Sequence, residues 1–294
     1  MVNIFPKRIL LCGGGVRTIA QVGVLIELEK IGYLKYVTEW AGVSAGGFLA
    51  MCLSLGYTLI EIREICMKFN FMSIVDIDSA PGWILNMGLD SGNMIHGLII
   101  ACLRVKGMNP ATTFKECILA GGKSLRLFVT DLKSGQMKVF SETTTPDFSI
   151  VDAVRASMTI PFYFQPFEDH INNTILIDGA ILSNYPMIYL SETERRETIG
   201  ILLRDTESSL CDNISELDFK SLLIRPIELL MITRSEYERQ NNTQNTIVVD
   251  ISGVKVLDFD IDTENRLLLI QYGRDAVSKF IKSFPKPVRR YSCS

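Results

Sequence analysis

Three short segments of this 294-residue sequence carry residue types at spacings that could do chemistry. Gly42-Val43-Ser44-Ala45-Gly46 is a G-x-S-x-G run between an apolar strand-like stretch and an apolar helix-like one. A serine in that context sits on a strained strand-to-helix turn with its hydroxyl presented for nucleophilic attack. Gly42, Ala45, Gly46 and Gly47 are small enough to let strand and helix approach each other. The plain alternative is a serine on an ordinary tight turn.

Gly13-Gly14-Gly15-Val16-Arg17 follows the first apolar run and precedes the first helical one. Consecutive glycines let backbone N–H groups turn toward an anion, and a helix N-terminus adds positive potential. A Walker-type phosphate loop fails because no Gly-Lys-Ser/Thr follows. A dinucleotide fingerprint needs a third glycine at 18, where the chain has Thr18, and it leaves the glycine turn at 42–47 unused. An oxyanion hole uses both glycine turns at once and is preferred. The third segment is Asp178-Gly179-Ala180, directly after the apolar run Thr174–Ile177. An Asp at the C-terminal end of a strand lies on the edge where α/β sheets place ligands. An Asp-Gly turn is the bland reading.

Only two histidines are present, His96 and His170. An α/β-hydrolase triad runs in the order Ser, Asp/Glu, His, and no histidine follows Asp178. A triad would therefore need Asp131 or Asp152 together with His170. His170 lies in Glu168-Asp169-His170-Ile171-Asn172-Asn173, a polar stretch that reads as an exposed turn. His96 lies within an apolar helix. The residues favour a serine hydrolase that works without histidine, with the triad through His170 as the alternative.

These segments need a scaffold. Strands are predicted at Arg8–Cys12, Tyr36–Gly42, Leu125–Leu132, Met137–Phe140, Thr174–Ile177, Thr198–Leu203 and Thr246–Ile251. Helices are predicted at Ala20–Lys30, Ala45–Leu55, Leu59–Phe69, Met94–Leu103, Ser149–Ser157, Phe219–Arg239 and Glu264–Ile281, with 71–89 irregular. Strands alternating with helices predict one α/β domain, a three-layer α/β/α arrangement around a mostly parallel central sheet.

Hydrophobic residues make up 47% and charged ones 21%, which excludes a disordered chain. Thirty Lys+Arg against 33 Asp+Glu leave a net charge of −3, so no global field draws the chain to nucleic acid. Mean hydropathy is high at +0.22. The charge-free run Trp40–Ile60 is long enough to span a bilayer. Its Gly42, Gly46, Gly47, Gly56, Ser44 and Ser54 fit a buried strand–turn–helix better. Met1–Leu11 is too short for a secretory signal. Seven cysteines without CxxC or metal-type spacing predict reduced thiols in an intracellular, cytoplasmic setting. No metal or cofactor is expected.

Together the three segments resemble the patatin-like phospholipases. That family combines a G-G-G-x-R/K-G loop, a G-x-S-x-G elbow and a D-G-A/G motif, in the order found here. Ala156-Ser157-Met158-Thr159-Ile160-Pro161 is similar to the family's A-S-x-x-x-P block. Leu127–Asp131 followed by Gly135 is similar to its central strand and turn. Thr18 departs from the last glycine of the loop. The resemblance spans about residues 7–282 and leaves 283–294 as a basic tail.

The resemblance implies Ser44 as nucleophile and Asp178 as general base. It implies an oxyanion hole from Gly13, Gly14, Gly15 and Ala45, supported by Arg17, Gly42, Gly46, Gly179 and Ala180. The implied activity is lipid acyl hydrolysis of phospholipase A type on glycerophospholipids, with a catalytically weak lipid-binding protein of the same fold as the alternative. Met67, Met72, Met87, Met94 and Met108, with Phe69, Phe71 and Trp83, suit an acyl-chain pocket or mobile lid, or else plain packing. Lys279, Lys282, Lys286, Arg289 and Arg290 suit transient contact with an anionic membrane surface, or else a solvated tail.

Overall fold

The run Arg8–Leu11 is buried at every position. A strand achieves this when sheet neighbours flank both edges and further layers cover both faces. The computed structural model describes residues 5–77, 82, 87–206, 219–241 and 245–283. Along the chain these form β1 (Arg8–Leu11), α1 (Ile19–Lys30), β2 (Glu39–Val43), α2 (Ala45–Ser54), α3 (Leu59–Lys68), β3 (Gly88–Asp90) and α4 (Asn93–Val105). Next come α5 (Phe114–Leu119), β4 (Ser124–Asp131), β5 (Gln136–Phe140), α6 (Ile150–Ser157), β6 (Phe162–Phe164), β7 (Phe167–Asp169) and β8 (Thr174–Asp178). The chain continues through α7 (Ala180–Ser183), α8 (Glu192–Arg196), β9 (Thr198–Asp205), α9 (Phe219–Gln240), β10 (Thr246–Ile251) and α10 (Thr263–Ser283).

The central sheet runs β10-β9-β1-β2-β4-β8-β7, with β5 also on β4. Its first five strands pair in parallel, while β8, β7 and β5 pair antiparallel. The expected mostly parallel α/β sheet is what forms. Alternate residues of β1 serve opposite cores, because successive side chains of a strand point to opposite faces. Ile9 and Leu11 join the larger core with α1, α2, α4 and α10. Leu10 and Cys12 join a smaller one with Tyr185, Met187 and Leu190.

One feature of the register positions the site. Phe128 of β4 pairs with Val43 of β2 and with Val139 of β5, so β2 and β5 occupy opposite edges of β4. The next residue, Val129, pairs with Asp178 of β8 and with Lys138 of β5. β8 therefore continues the edge that β2 leaves. The two strands run toward each other and their C-terminal ends abut, which brings residue 44 beside residue 178.

Several sequence expectations shift. Tyr33–Tyr36 makes a 3-10 turn, so the strand predicted from Tyr36 begins at Glu39. The apolar run from Trp40 folds into β2, a turn and α2. Among the described residues no helix is long and apolar enough to cross a membrane. Cys12, Cys52, Cys66, Cys102 and Cys117 are free thiols. Cys211, Cys293, Trp83 and the tail from residue 284, with Lys286, Arg289 and Arg290, lie outside the described residues.

Candidate active site

Ser44 joins β2 to α2 with φ 55° and ψ −134°, a backbone conformation that non-glycine residues rarely adopt. Two contacts force the turn to be tight. A Cβ on Gly42 would lie 2.5 Å from the Gly46 carbonyl oxygen, and one on Gly46 would lie 2.3 Å from that of Cys12. Both glycines named from the sequence thus let β1, β2 and α2 approach at backbone distance. The Ser44 N–H donates to Ser157 Oγ (3.0 Å), and Ser157 Oγ donates to the Phe128 carbonyl (2.8 Å).

Ser44 Oγ donates to Asp178 Oδ2 at 2.6 Å. Asp178 is fully buried, and its Oδ1 accepts the Ala180 N–H at 2.9 Å. Its backbone is held too: its N–H donates to the Thr159 carbonyl (2.8 Å) and its carbonyl accepts Thr130 Oγ1 (3.0 Å). Burial pushes the carboxyl up to about 7, against the opposing pull of the Ser44 and Ala180 hydrogen bonds. Gly179 lets the chain leave Asp178 close to β4, since a Cβ there would meet the Phe128 carbonyl oxygen at 2.3 Å. Beyond it, buried Glu238 of α9 accepts Ser183 Oγ at 2.7 Å and fixes α9 over this loop.

The glycine loop lies against the serine, for a Gly13 Cβ would be 3.0 Å from Ser44 Cβ. Gly15 adopts φ +54° beside the Val256 carbonyl, which accepts the Val16 N–H at 3.1 Å. Among the described residues no backbone carbonyl accepts the N–H of Gly13, Gly14 or Gly15. The Ala45 N–H begins α2 and has no intrahelical partner there. Arg17 is buried and ties the loop to the end of β9 through Asp205 (3.2 Å). Thr18 takes helical angles without strain.

Two cavities reach Ser44. One of about 130 Å³ extends under α2, α3 and α4, and the other, of about 250 Å³, lies beneath α9. Neither cavity is lined by any of the five methionines singled out between 67 and 108, among the described residues. Met72, Met87 and Met94 are exposed instead. That stretch lines the smaller cavity through Phe69, Phe71 and Ile74 rather than through its methionines.

The histidines stay away from this centre. The His170 side chain is 85% exposed in the turn between β7 and β8. It stands at the opposite end of β8 from Asp178, about 13 Å along the strand. His96 is half-exposed on α4, 3.8 Å from Asp152. Sequence reasoning did not assign roles to Ser157 or Asn184. Ser157 was visible as part of the A-S-x-x-x-P block, but its bond to Ser44 depends on tertiary placement. Asn184 Nδ2 donates to the Gly13 carbonyl at 3.4 Å, while its buried Oδ1 has no partner among the described residues. Ser157→Ala is expected to leave the Ser44 N–H and Phe128 carbonyl unpaired, costing about 1–3 kcal/mol. A urea midpoint unchanged from wild type would contradict that role.

An α/β sheet that sets a strained serine on a buried carboxylate beside a glycine loop defines a class, and the chain's relatives narrow it. Residues 9–191 match the sequence profile described as Patatin-like phospholipase, and the chain belongs to that family. Uncharacterized protein YqhO of Bacillus subtilis (strain 168) is 29% identical over 295 residues, covering 92% of this chain and 97% of its own. Probable lipid hydrolase 463L of Invertebrate iridescent virus 6 is 31% identical over 185 residues, 62% of each chain. VipD from Legionella pneumophila shares the fold with a TM-score of 0.65 at 17% identity, over 95% of this chain and 67% of its own. The type III effector ExoU of Pseudomonas aeruginosa gives 0.55 at 17% identity, over 94% of this chain and 53% of its own.

Proposed function

We propose that this chain is a lipid acyl hydrolase of phospholipase A type, cleaving fatty-acyl esters of glycerophospholipids through an acyl-enzyme on Ser44. The 2.6 Å contact between Ser44 Oγ and the buried Asp178 carboxylate carries the reading. The family and the probable lipid hydrolase among the relatives support the substrate class.

Asp178 accepts the Ser44 proton as Oγ attacks the ester carbonyl. The oxyanion that forms is met by the N–H groups of Gly13, Gly14, Gly15 and Ala45, each such donor contributing about 3 kcal/mol to transition-state stabilisation. Collapse expels the alcohol, which takes the proton from Asp178 and leaves the acyl group on Ser44. Water then attacks, giving its proton to Asp178 and releasing the fatty acid, and the proton returns to Ser44. Arg17, Gly42, Gly46, Gly179 and Ala180 hold these groups in register. We take the catalytic domain as 7–282, with the basic residues of 283–294 touching a membrane surface transiently. The free thiols favour a reducing, intracellular setting.

Asp178 works as a base only when ionised. With its carboxyl pushed up to about 7, kcat/KM on phospholipid vesicles is expected to climb about tenfold per pH unit below pH 6 and to level off above about pH 8. Ser44→Ala should release no fatty acid from those vesicles. A flat profile across this range, or full activity in Ser44→Ala, would refute the assignment.

A further inference from the structure

The two cavities at Ser44 are chemically unequal. We propose that the substrate's acyl chain enters the smaller one, where Cys52, Cys66 and Cys102 close the far end and set the longest chain accepted, while the alcohol departs through the cavity beneath α9. This rests on Ser44 being the nucleophile.

Ala45, Phe48, Leu49 and Cys52 all line the smaller cavity. Their spacing of i, i+3, i+4 and i+7 makes them one stripe of α2, so the cavity follows that helix away from the serine. Seven residues of helix advance about 10 Å, the reach of an extended alkyl chain of about eight single bonds. At that depth three helices converge, and Cys52 of α2, Cys66 of α3 and Cys102 of α4 all stand on the cavity wall. Behind them Tyr57 OH donates to the Cys102 carbonyl at 2.9 Å. Burial pushes the Cys66 thiol up to about 12, which keeps it neutral, small and apolar. Apart from these thiols, the side chains with polar atoms on this wall are Ser44 and Thr18, both at the entrance.

The cavity beneath α9 is different. Arg17, Arg204, Asp205, Glu228 and Glu236 all border it. They stand in ion pairs: Arg17 with Asp205, Arg204 with Asp250, Arg225 with Glu228, and Arg239 with Glu236. Covering these groups with methylenes would strip water from charges and return no hydrogen bond. A glycerol backbone and head group can keep them solvated or bonded. The apolar wall thus takes the chain, and the mixed wall takes the leaving group.

An alkyl fluorophosphonate with a diazirine at the chain end tests this on the wild-type protein. Phosphorus bonds to Ser44 Oγ as fluoride leaves, and irradiation then attaches the chain end to its nearest neighbour. Peptide mapping is expected to find the cross-link on segments holding Cys52, Cys66 or Cys102. Cross-links on Met231 or Ile232 of α9 would overturn the proposal while leaving the nucleophile intact. An unlabelled Ser44 would overturn the nucleophile and this inference together. In addition, Cys52→Leu lengthens a side chain at the cavity's end. The ratio of kcat/KM for decanoyl over butyryl esters should fall about fourfold for each methylene displaced. An unchanged ratio in the folded variant would also overturn the proposal, and the cross-link map decides alone if that variant does not fold.

Discussion

Asp178→Asn is expected to lose at least about 10⁴-fold in ester hydrolysis while becoming harder to melt at pH 8. The activity loss follows because an amide cannot take the serine proton at its oxygen, and no histidine stands near to replace it. The stability gain follows from linkage. The carboxyl sits at about 7 in the folded protein, raised by burial from an ordinary value of 3.8. A raised folded value means that the fold favours the protonated form. That contribution is complete below about pH 4 and is lost as the pH rises through about 7. Above that the ionised group costs the fold on the order of 4 kcal/mol, net of the bonds from Ser44 and Ala180. Asparagine removes the charge, so the melting temperature should rise by several degrees at pH 8, with the advantage shrinking as pH falls from 7 toward 4. Melting curves at pH 5 and pH 8 check this, and a variant less stable than wild type at pH 8 would contradict it. His170→Ala serves as the control and should keep its activity. An inactive His170→Ala beside an active Asp178→Asn would restore the histidine triad.

The site was legible because its parts are local. The elbow at 42–46, the glycines at 13–15 and the Asp-Gly-Ala at 178–180 each announce themselves within five residues, and each ends a strand on the same sheet. Their meeting was legible only through the family resemblance, not from the residues themselves. It depends on β2 and β8 sharing one edge of β4, and a short antiparallel strand gives no sequence sign of which edge it joins. The strands β3, β6 and β7 have three residues each, too few for a period-two pattern to show. The methionines between 67 and 108 misled for a related reason. Composition finds a segment rich in adaptable apolar side chains, but only the fold decides that Phe69, Phe71 and Ile74 turn inward while Met72 and Met87 face out. Asn184 carried no signal beyond its closeness to Asp178, since its partner Gly13 lies 171 residues away.

The joining of β1, β2 and α2 at backbone distance makes Gly46→Ala a damaging substitution at the site's own scaffold. Its added methyl would lie 2.3 Å from the Cys12 carbonyl oxygen and 2.6 Å from that of Leu11. Both atoms belong to backbone, so no rotamer change relieves the contact. Either α2 lifts off β1 or β1 shifts in the sheet. Overpacking of this kind costs about 1–3 kcal/mol where side chains can yield and more where they cannot, so about 3 kcal/mol or above is expected. The catalytic effect should exceed the thermodynamic one. Lifting α2 carries Ser44 and the Ala45 N–H away from the glycine loop on β1, and a displacement of about 1 Å in such an arrangement can cost about 10²-fold in rate. Gly97→Ala is the matched comparison. Gly97 lies on the exposed face of α4 with nothing within 4 Å of an added Cβ, so alanine there should stabilise the helix by about 0.5–1 kcal/mol. Urea midpoints and kcat for the two variants should move apart. If Gly46→Ala matches Gly97→Ala in both, the strand and helix do not touch at that point, and the geometry assigned to Ser44 has no basis.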